Sequence, residues 1–152
     1  MFVPCAPLLK GLLADGVGIV ASGLPSGVLK QAKMGLFTNQ VPINLNTLLS
    51  DLVQPTYTGY ALLAVTPWTG PVRQSDGSYQ VISPDCVFQM QDSTKPTVAY
   101  GAFLQTSDAQ PELLGGVVFD TPVALQTWED AAVIVAQLEL LAGSVSGDLT
   151  LL

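Results

Sequence analysis

The sequence predicts an all-β fold, an antiparallel β-sandwich or a jelly-roll-like barrel preceded by an extended N-terminal arm. Three observations predict it. From residue 34 onward, short apolar stretches alternate with proline, glycine and aspartate punctuation, the rhythm of strands and turns in antiparallel domains. Residues Ser75-Asp76-Gly77-Ser78 sit between two such stretches, and Asp-Gly supplies the positive φ angles of a tight hairpin turn. The stretch Ala131 to Leu141 sets Ala132, Ile134, Ala136, Leu138 and Leu140 on one side, the period-two pattern of a strand with one buried face.

Taken in order, residues 1–33 are rich in Gly, Pro, Ser and Ala with scattered Leu and Val, and fit neither helical nor strand periodicity. They read as the arm, and residues 34–152 as the sandwich domain. Met34 to Thr38 is strand-like and Pro42 ends it. Asn46 is placed to cap a short helix from Thr47 to Leu52 that stops before Pro55. Tyr57 to Thr66 reads as a strand between prolines, and Val72 to Ile82 as the hairpin. Cys86 to Gln91 alternates in part and is closed by Asp92-Ser-Thr-Lys-Pro96. Val98 to Thr106 and Leu113 to Phe119 are joined by a turn at Ser107 to Pro111, and the strand from Ala131 closes the series.

Composition narrows the function. The chain is 49% hydrophobic and 11% charged, against about 25% charge on ordinary soluble domains. A surface so poor in charge is one that other proteins cover. Its net charge of −7 argues against direct nucleic-acid binding, which needs clustered Lys and Arg. Lys10, Lys30 and Lys33 against Asp15 make residues 1–33 +2 and leave −9 on the remainder. An arm of opposite sign can dock on a neighbouring copy, and the same lysines equally well solubilise an apolar segment. Proline, glycine and charge interrupt the apolar N-terminus, and Leu52 to Val72 carries polar residues and three prolines, so neither reads as a membrane span.

The chain contains no histidine, which removes Ser-His-Asp and Cys-His catalysis and the usual zinc sites. Glu129 and Asp130 are neighbours and would point to opposite faces of a strand, so they read as a turn rather than a catalytic pair. Asp76, Asp85 and Asp92 lack calcium-loop spacing and read as solvated turn residues. Cys5 and Cys86, without Cys-x-x-Cys spacing, read as buried reduced hydrophobes. Trp68, Trp128, Tyr57, Tyr60, Tyr79 and Tyr100 could form a sugar-stacking platform, although aromatics in strands more often serve core or subunit contacts. No enzyme activity, cofactor or metal is expected.

The run Gly35-Leu-Phe-Thr-Asn-Gln-Val-Pro42, then Thr47 to Leu52 and Tyr57-Thr-Gly-Tyr-Ala, resembles the opening of small virion-associated proteins of tailed bacteriophages. Ala99 to Thr106, Leu113 to Asp120 and Ala132 to Leu140 look like the closing strands of that group. The resemblance covers about residues 34–141. It implies a structural role in the virion, capsid decoration or cement, with the major capsid protein or another virion protein as partner. A receptor- or glycan-binding module of a tail or head fibre is the alternative.

Low charge and high apolarity lead to a homo-oligomer, a trimer or ring, built through protein contacts without membrane or nucleic acid. The candidate interface residues are Phe2, Val3, Leu8, Leu9, Leu12, Leu13, Ile19 and Val20, costly to leave wet at about 25 cal/mol per Å². On this reading they lie along an adjacent subunit or the shell. In a competing account the same residues are the first strands of their own sandwich.

Overall fold

Two antiparallel sheets enclose one main core, as the strand pattern predicts. The structure, a computed structural model, describes residues 1–9, 29–141 and 144–152. In chain order the strands are β1 (Val3–Pro4), β2 (Lys33–Phe37), β3 (Leu63–Ala64), β4 (Thr69–Arg73) and β5 (Tyr79–Ile82). They continue with β6 (Cys86–Gln89), β7 (Thr97–Gln105), β8 (Leu113–Leu125), β9 (Ala131–Leu141) and β10 (Ser144–Leu151). The first sheet runs β1-β8-β7-β2-β3 and the second β10-β9-β5-β4, with β6 also on β9.

Strand β9 organises the second sheet. One edge pairs with β10 over Ile134 to Leu141; the other takes β5 at Gln137 to Leu140 and β6 at Ala131 to Ile134. Ser83 bridges the gap where those two strands part: its N–H donates to the Ala136 carbonyl (2.8 Å) and its hydroxyl accepts the Ala136 N–H (2.8 Å). The alternation in β9 is as expected, with Ala132, Ile134, Ala136 and Leu138 buried against Met34, Leu36, Ala102 and Leu104 of the opposite sheet.

The hairpin β4–β5 turns at the predicted place. Gly77 takes φ +88°, and the Asp76 carboxylate accepts the Ser78 N–H (2.9 Å) and hydroxyl (2.6 Å). An aspartate that bonds the backbone two residues on stabilises the turn without tertiary help.

Strand β7 is covered on both sides, which explains its unbroken apolar run. Ala102 and Leu104 face the main core; Phe103 faces a second cluster with Cys5, Phe37, Leu52 and Leu113. The connection from β2 to β3 roofs this cluster. Asn39 pins it, accepting the Val53 N–H (2.9 Å) and donating to the Asp51 carbonyl (2.9 Å). Gly35 and Gly101 let the rings of Phe103 and Phe37 lie flat on the sheet, because a Cβ at either position would collide with them.

Three expectations change. The helix expected over Thr47 to Leu52 is a single 3₁₀ turn, Leu49–Asp51, and the Asp51 carboxylate caps it through the Leu48 N–H (2.9 Å) in place of Asn46. Of the strand expected over Tyr57 to Thr66, only Leu63–Ala64 pairs. Tyr57 and Tyr60 instead turn inward edge to face at 5.5 Å, and the Tyr60 ring stacks on Phe88 at 6.2 Å. One strand was not anticipated, β10, and β1 belongs to the competing account in which the N-terminal residues begin the sandwich.

Residues 1–9 and 29–33 do not leave the body as an arm would. β1 pairs with Gly115 and Gly116, the Cys5 N–H donates to the Leu114 carbonyl (2.9 Å), and Phe2, Leu8, Leu29 and Ala32 are buried in the main core. The cause is a vacancy opposite two glycines: Gly115 has no side chain, so the Phe2 ring packs directly on the backbone of β8. The remainder of the predicted arm lies outside the described residues.

Candidate functional site

Several of the chain's few carboxylates are engaged in local structure. Asp130 accepts the N–H groups of Gln126 (2.7 Å) and Thr127 (3.0 Å), shaping the turn before β9. Asp92 accepts the N–H (3.0 Å) and hydroxyl (2.6 Å) of Thr94. The hydrogen bonds from Ser78, from Thr94 and from the Gln126 and Thr127 N–H groups hold Asp76, Asp92 and Asp130, respectively, below the usual carboxylate range. Each is a turn aspartate, as the sequence suggests. Among the described residues no three His, Cys, Asp or Glu side chains come together to hold a metal ion. Nor, among those residues, is any helix long and apolar enough to cross a membrane.

Both cysteines are buried and unpaired with each other. Burial pushes the Cys5 thiol up to about 11, and burial followed by the nearby Asp85 charge raises Cys86. Protonated, enclosed thiols are poor nucleophiles and poor metal ligands at neutral pH.

The aromatics do not converge. Trp68 is buried and donates its Nε1–H to the Leu29 carbonyl (2.8 Å); Tyr57 is buried, and Tyr60 is held between the Leu36 N–H (3.1 Å) and Gln54 Oε1 (2.9 Å). Trp128 stands exposed on the turn before β9. A stacking platform of several rings is therefore not assembled from them.

Among the described residues, two surface concavities bear on the reading. The larger is an open cleft of about 390 Å³ walled by Thr38, Val53 to Thr56, Pro96 to Val98 and Tyr100. It offers one phenol ring, one amide and several hydroxyls, without an ionised side chain. The second is a groove of about 270 Å³ between the flanks of the two sheets, lined by Met1, Val117 to Thr121 of β8 and Asp148 to Leu151 of β10. Of the eleven exposed large apolar side chains among the described residues, five lie in these concavities: Val53 and Val98 in the cleft, Met1, Val118 and Leu151 in the groove.

The groove exists because two strand edges are left open side by side. β1 covers β8 only at Gly115 and Gly116, so among the described residues nothing pairs with Val117–Leu125 on that side. β10 is the outermost strand of its sheet, touched there by the Phe2 N–H donating to the Gly147 carbonyl (2.9 Å). Unpaired strand edges carry rows of backbone donors and acceptors and are ready templates for another chain.

Of the predicted interface residues, Phe2 and Leu8 are buried in their own core, Val3 and Leu9 are half-buried, and Leu12, Leu13, Ile19 and Val20 lie outside the described residues. Phe2 and Leu8 are thus core residues and not free for a neighbour. Sequence reasoning missed Val118, Asp120 and Leu151, and named Tyr100 only as one of six candidate stacking aromatics. The only signal was the polar break Asp120-Thr-Pro122 inside an apolar strand, a common mark of an edge.

No protein-family model, no curated protein and no solved structure matches the chain.

Proposed function

We propose that the chain is a structural virion protein, a capsid decoration or cement protein that stabilises the shell through protein–protein contacts and acts as a homo-oligomer, with a trimer favoured. One observation carries the reading: open strand edges lie beside exposed apolar side chains on a surface with few charges. Such a surface gains from being covered, at about 25 cal/mol per Å² of apolar area. Its partners are copies of itself and the major capsid protein or another virion protein. The turn-capping use of the carboxylates and the protonated buried thiols support a role without catalysis. Light scattering on the purified full chain tests the oligomer directly. A well-behaved monomer at micromolar concentration would overturn it.

A second reading, a glycan- or receptor-binding module, is favoured by the cleft at Tyr100. Its hydroxyls, the Gln54 amide and one aromatic ring are the groups that recognise sugars. Glycan-array binding abolished by Tyr100→Ala, with assembly intact, would favour this reading over the first.

A further inference from the structure

The loop between β4 and β5 carries one of the two Asp-Gly pairs in the sequence, Asp76-Gly77; the other, Asp15-Gly16, lies outside the described residues. Such a pair is open to an internal reaction, because glycine has no side chain to shield its nitrogen. Apart from its chain neighbours, nothing lies within 4 Å of where a Gly77 Cβ would stand. In the reaction the Gly77 nitrogen bonds to the Asp76 Cγ and gives up its proton, while one carboxyl oxygen takes up protons and leaves as water. The product is a five-membered succinimide. Water then adds to one of its two carbonyls and breaks that carbonyl's bond to nitrogen, which restores aspartate or leaves isoaspartate with the main chain routed through Cβ and Cγ. No oxidant, reductant or cofactor enters.

Both reacting groups are restrained in the folded loop. Ser78 donates its hydroxyl (2.6 Å) and its N–H (2.9 Å) to Asp76 Oδ1. These bonds hold the carboxyl below its usual range, in the ionised form that cannot shed an oxygen as water. The Gly77 N–H donates to the Gln74 carbonyl (3.1 Å) and the Gln74 N–H to the Ser78 carbonyl (2.8 Å). With Gly77 at φ +88° they close a three-residue hairpin loop. Ring closure needs the Gly77 nitrogen swung round to eclipse the Asp76 Cβ, and that swing breaks the bond to Gln74. Ser78 is 1% exposed, so water does not readily replace its hydroxyl.

We propose that Asp76-Gly77 is a self-modification site of this chain, converting to isoaspartate when the loop opens, and that the Ser78 hydroxyl is the guard that keeps it from reacting in the fold. Conversion lengthens the main chain by one carbon inside the loop, so the pairs Val72 with Gln80 and Arg73 with Tyr79 lose their register. Among the described residues β4 has no partner strand besides β5, and it then leaves the sheet. This chemistry goes beyond the assembly role and stands without it.

The test incubates the full chain in heavy-oxygen water at neutral pH, folded or in urea, and maps label and isoaspartate by peptide mass spectrometry. In urea, Asp76 and Asp15 should take up label at similar rates. In the fold, Asp76 should label at least about tenfold more slowly than in urea, and Ser78→Ala should speed the folded chain about fivefold, the rate equivalent of one ordinary hydrogen bond. Ser78→Thr, which keeps the hydroxyl, should stay near the wild-type rate. Amide exchange is read on the same samples, and the Gln74 and Gly77 N–H groups should remain as protected in Ser78→Ala as in wild type. No label at Asp76 in urea would overturn the site. Equal labelling of Asp76 in the fold and in urea would overturn the guard, as would a Ser78→Ala rate equal to wild type or one that rises only with exposure of the Gln74 and Gly77 amides.

Discussion

Replacing Phe2 by alanine asks whether the N-terminal segment is core or arm. Phe2 is 2% exposed, it lies in the same buried cluster as Leu8, and its ring rests on Gly115. Truncating a fully buried phenylalanine costs about 3–5 kcal/mol in lost transfer energy and cavity. In a chain of this size 1 kcal/mol moves the melting temperature by about 2–4 °C, so Phe2→Ala should lower it by about 6–20 °C. Urea unfolding followed by circular dichroism provides the free energy, with Leu48→Ala, 62% exposed, as a surface control within about 0.5 kcal/mol of wild type. A cycle sharpens the test. The Cβ of Gly115→Ala would strike the Phe2 ring and crowd the Val3 carbonyl, so this substitution should cost less in the Phe2→Ala background. A loss below about 1 kcal/mol for Phe2→Ala would place the segment outside the body and refute the packing argument.

Gly35→Ala forces a methyl into the Phe103 ring and to 2.8 Å from Leu62 Cδ2; it should cost about 1–3 kcal/mol, and Phe103→Leu should recover part of the loss in the same urea assay. Trp68→Phe leaves the Leu29 carbonyl without its 2.8 Å indole partner and should destabilise by about 1–3 kcal/mol in thermal melts, whereas an unchanged melt would mean that the bond is not formed. Alkaline pH should also weaken the fold: burial lifts Cys5 from 9.0 to about 11 and Tyr60 from 10.0 to about 12. These groups favour the folded state fully below pH 9 and lose that contribution as pH rises toward 12, so a flat urea midpoint between pH 8 and 12 would contradict their burial. Asp76, Asp92 and Asp130 have depressed values, and the stability they add above the ordinary aspartate value of 3.8 fades as pH falls below it; Asp130→Asn should blunt that acid limb in calorimetry.

Local chemistry was legible in the sequence. The Asp76-Gly77 turn, the alternation of β9 and the turn role of Asp92 and Asp130 each depend on residues within a few positions of one another, and the backbone can satisfy such signals before any tertiary contact forms. The buried, unpaired state of Cys5 and Cys86 followed from their residue type and spacing.

The long-range pairings were not legible, because they depend on which surfaces are left over. Residues 1–9 lack a strand's alternation, yet Val3–Pro4 pairs because β8 presents two glycines against which a phenylalanine ring fits. Tyr57 to Tyr60 has strand propensity but packs as a turn, since the space above Phe88 rewards ring contact more than ladder bonds.

From the sequence alone came the all-β class, the turn positions and a chain poor in charge, for these follow from composition and from spacing along the chain. The tertiary structure alone decided where the open strand edges lie. The groove of β8 and β10 is made by strand edges that run 31 positions apart in the chain, Val117 to Asp148, and an edge is open only once every other strand has chosen its neighbour.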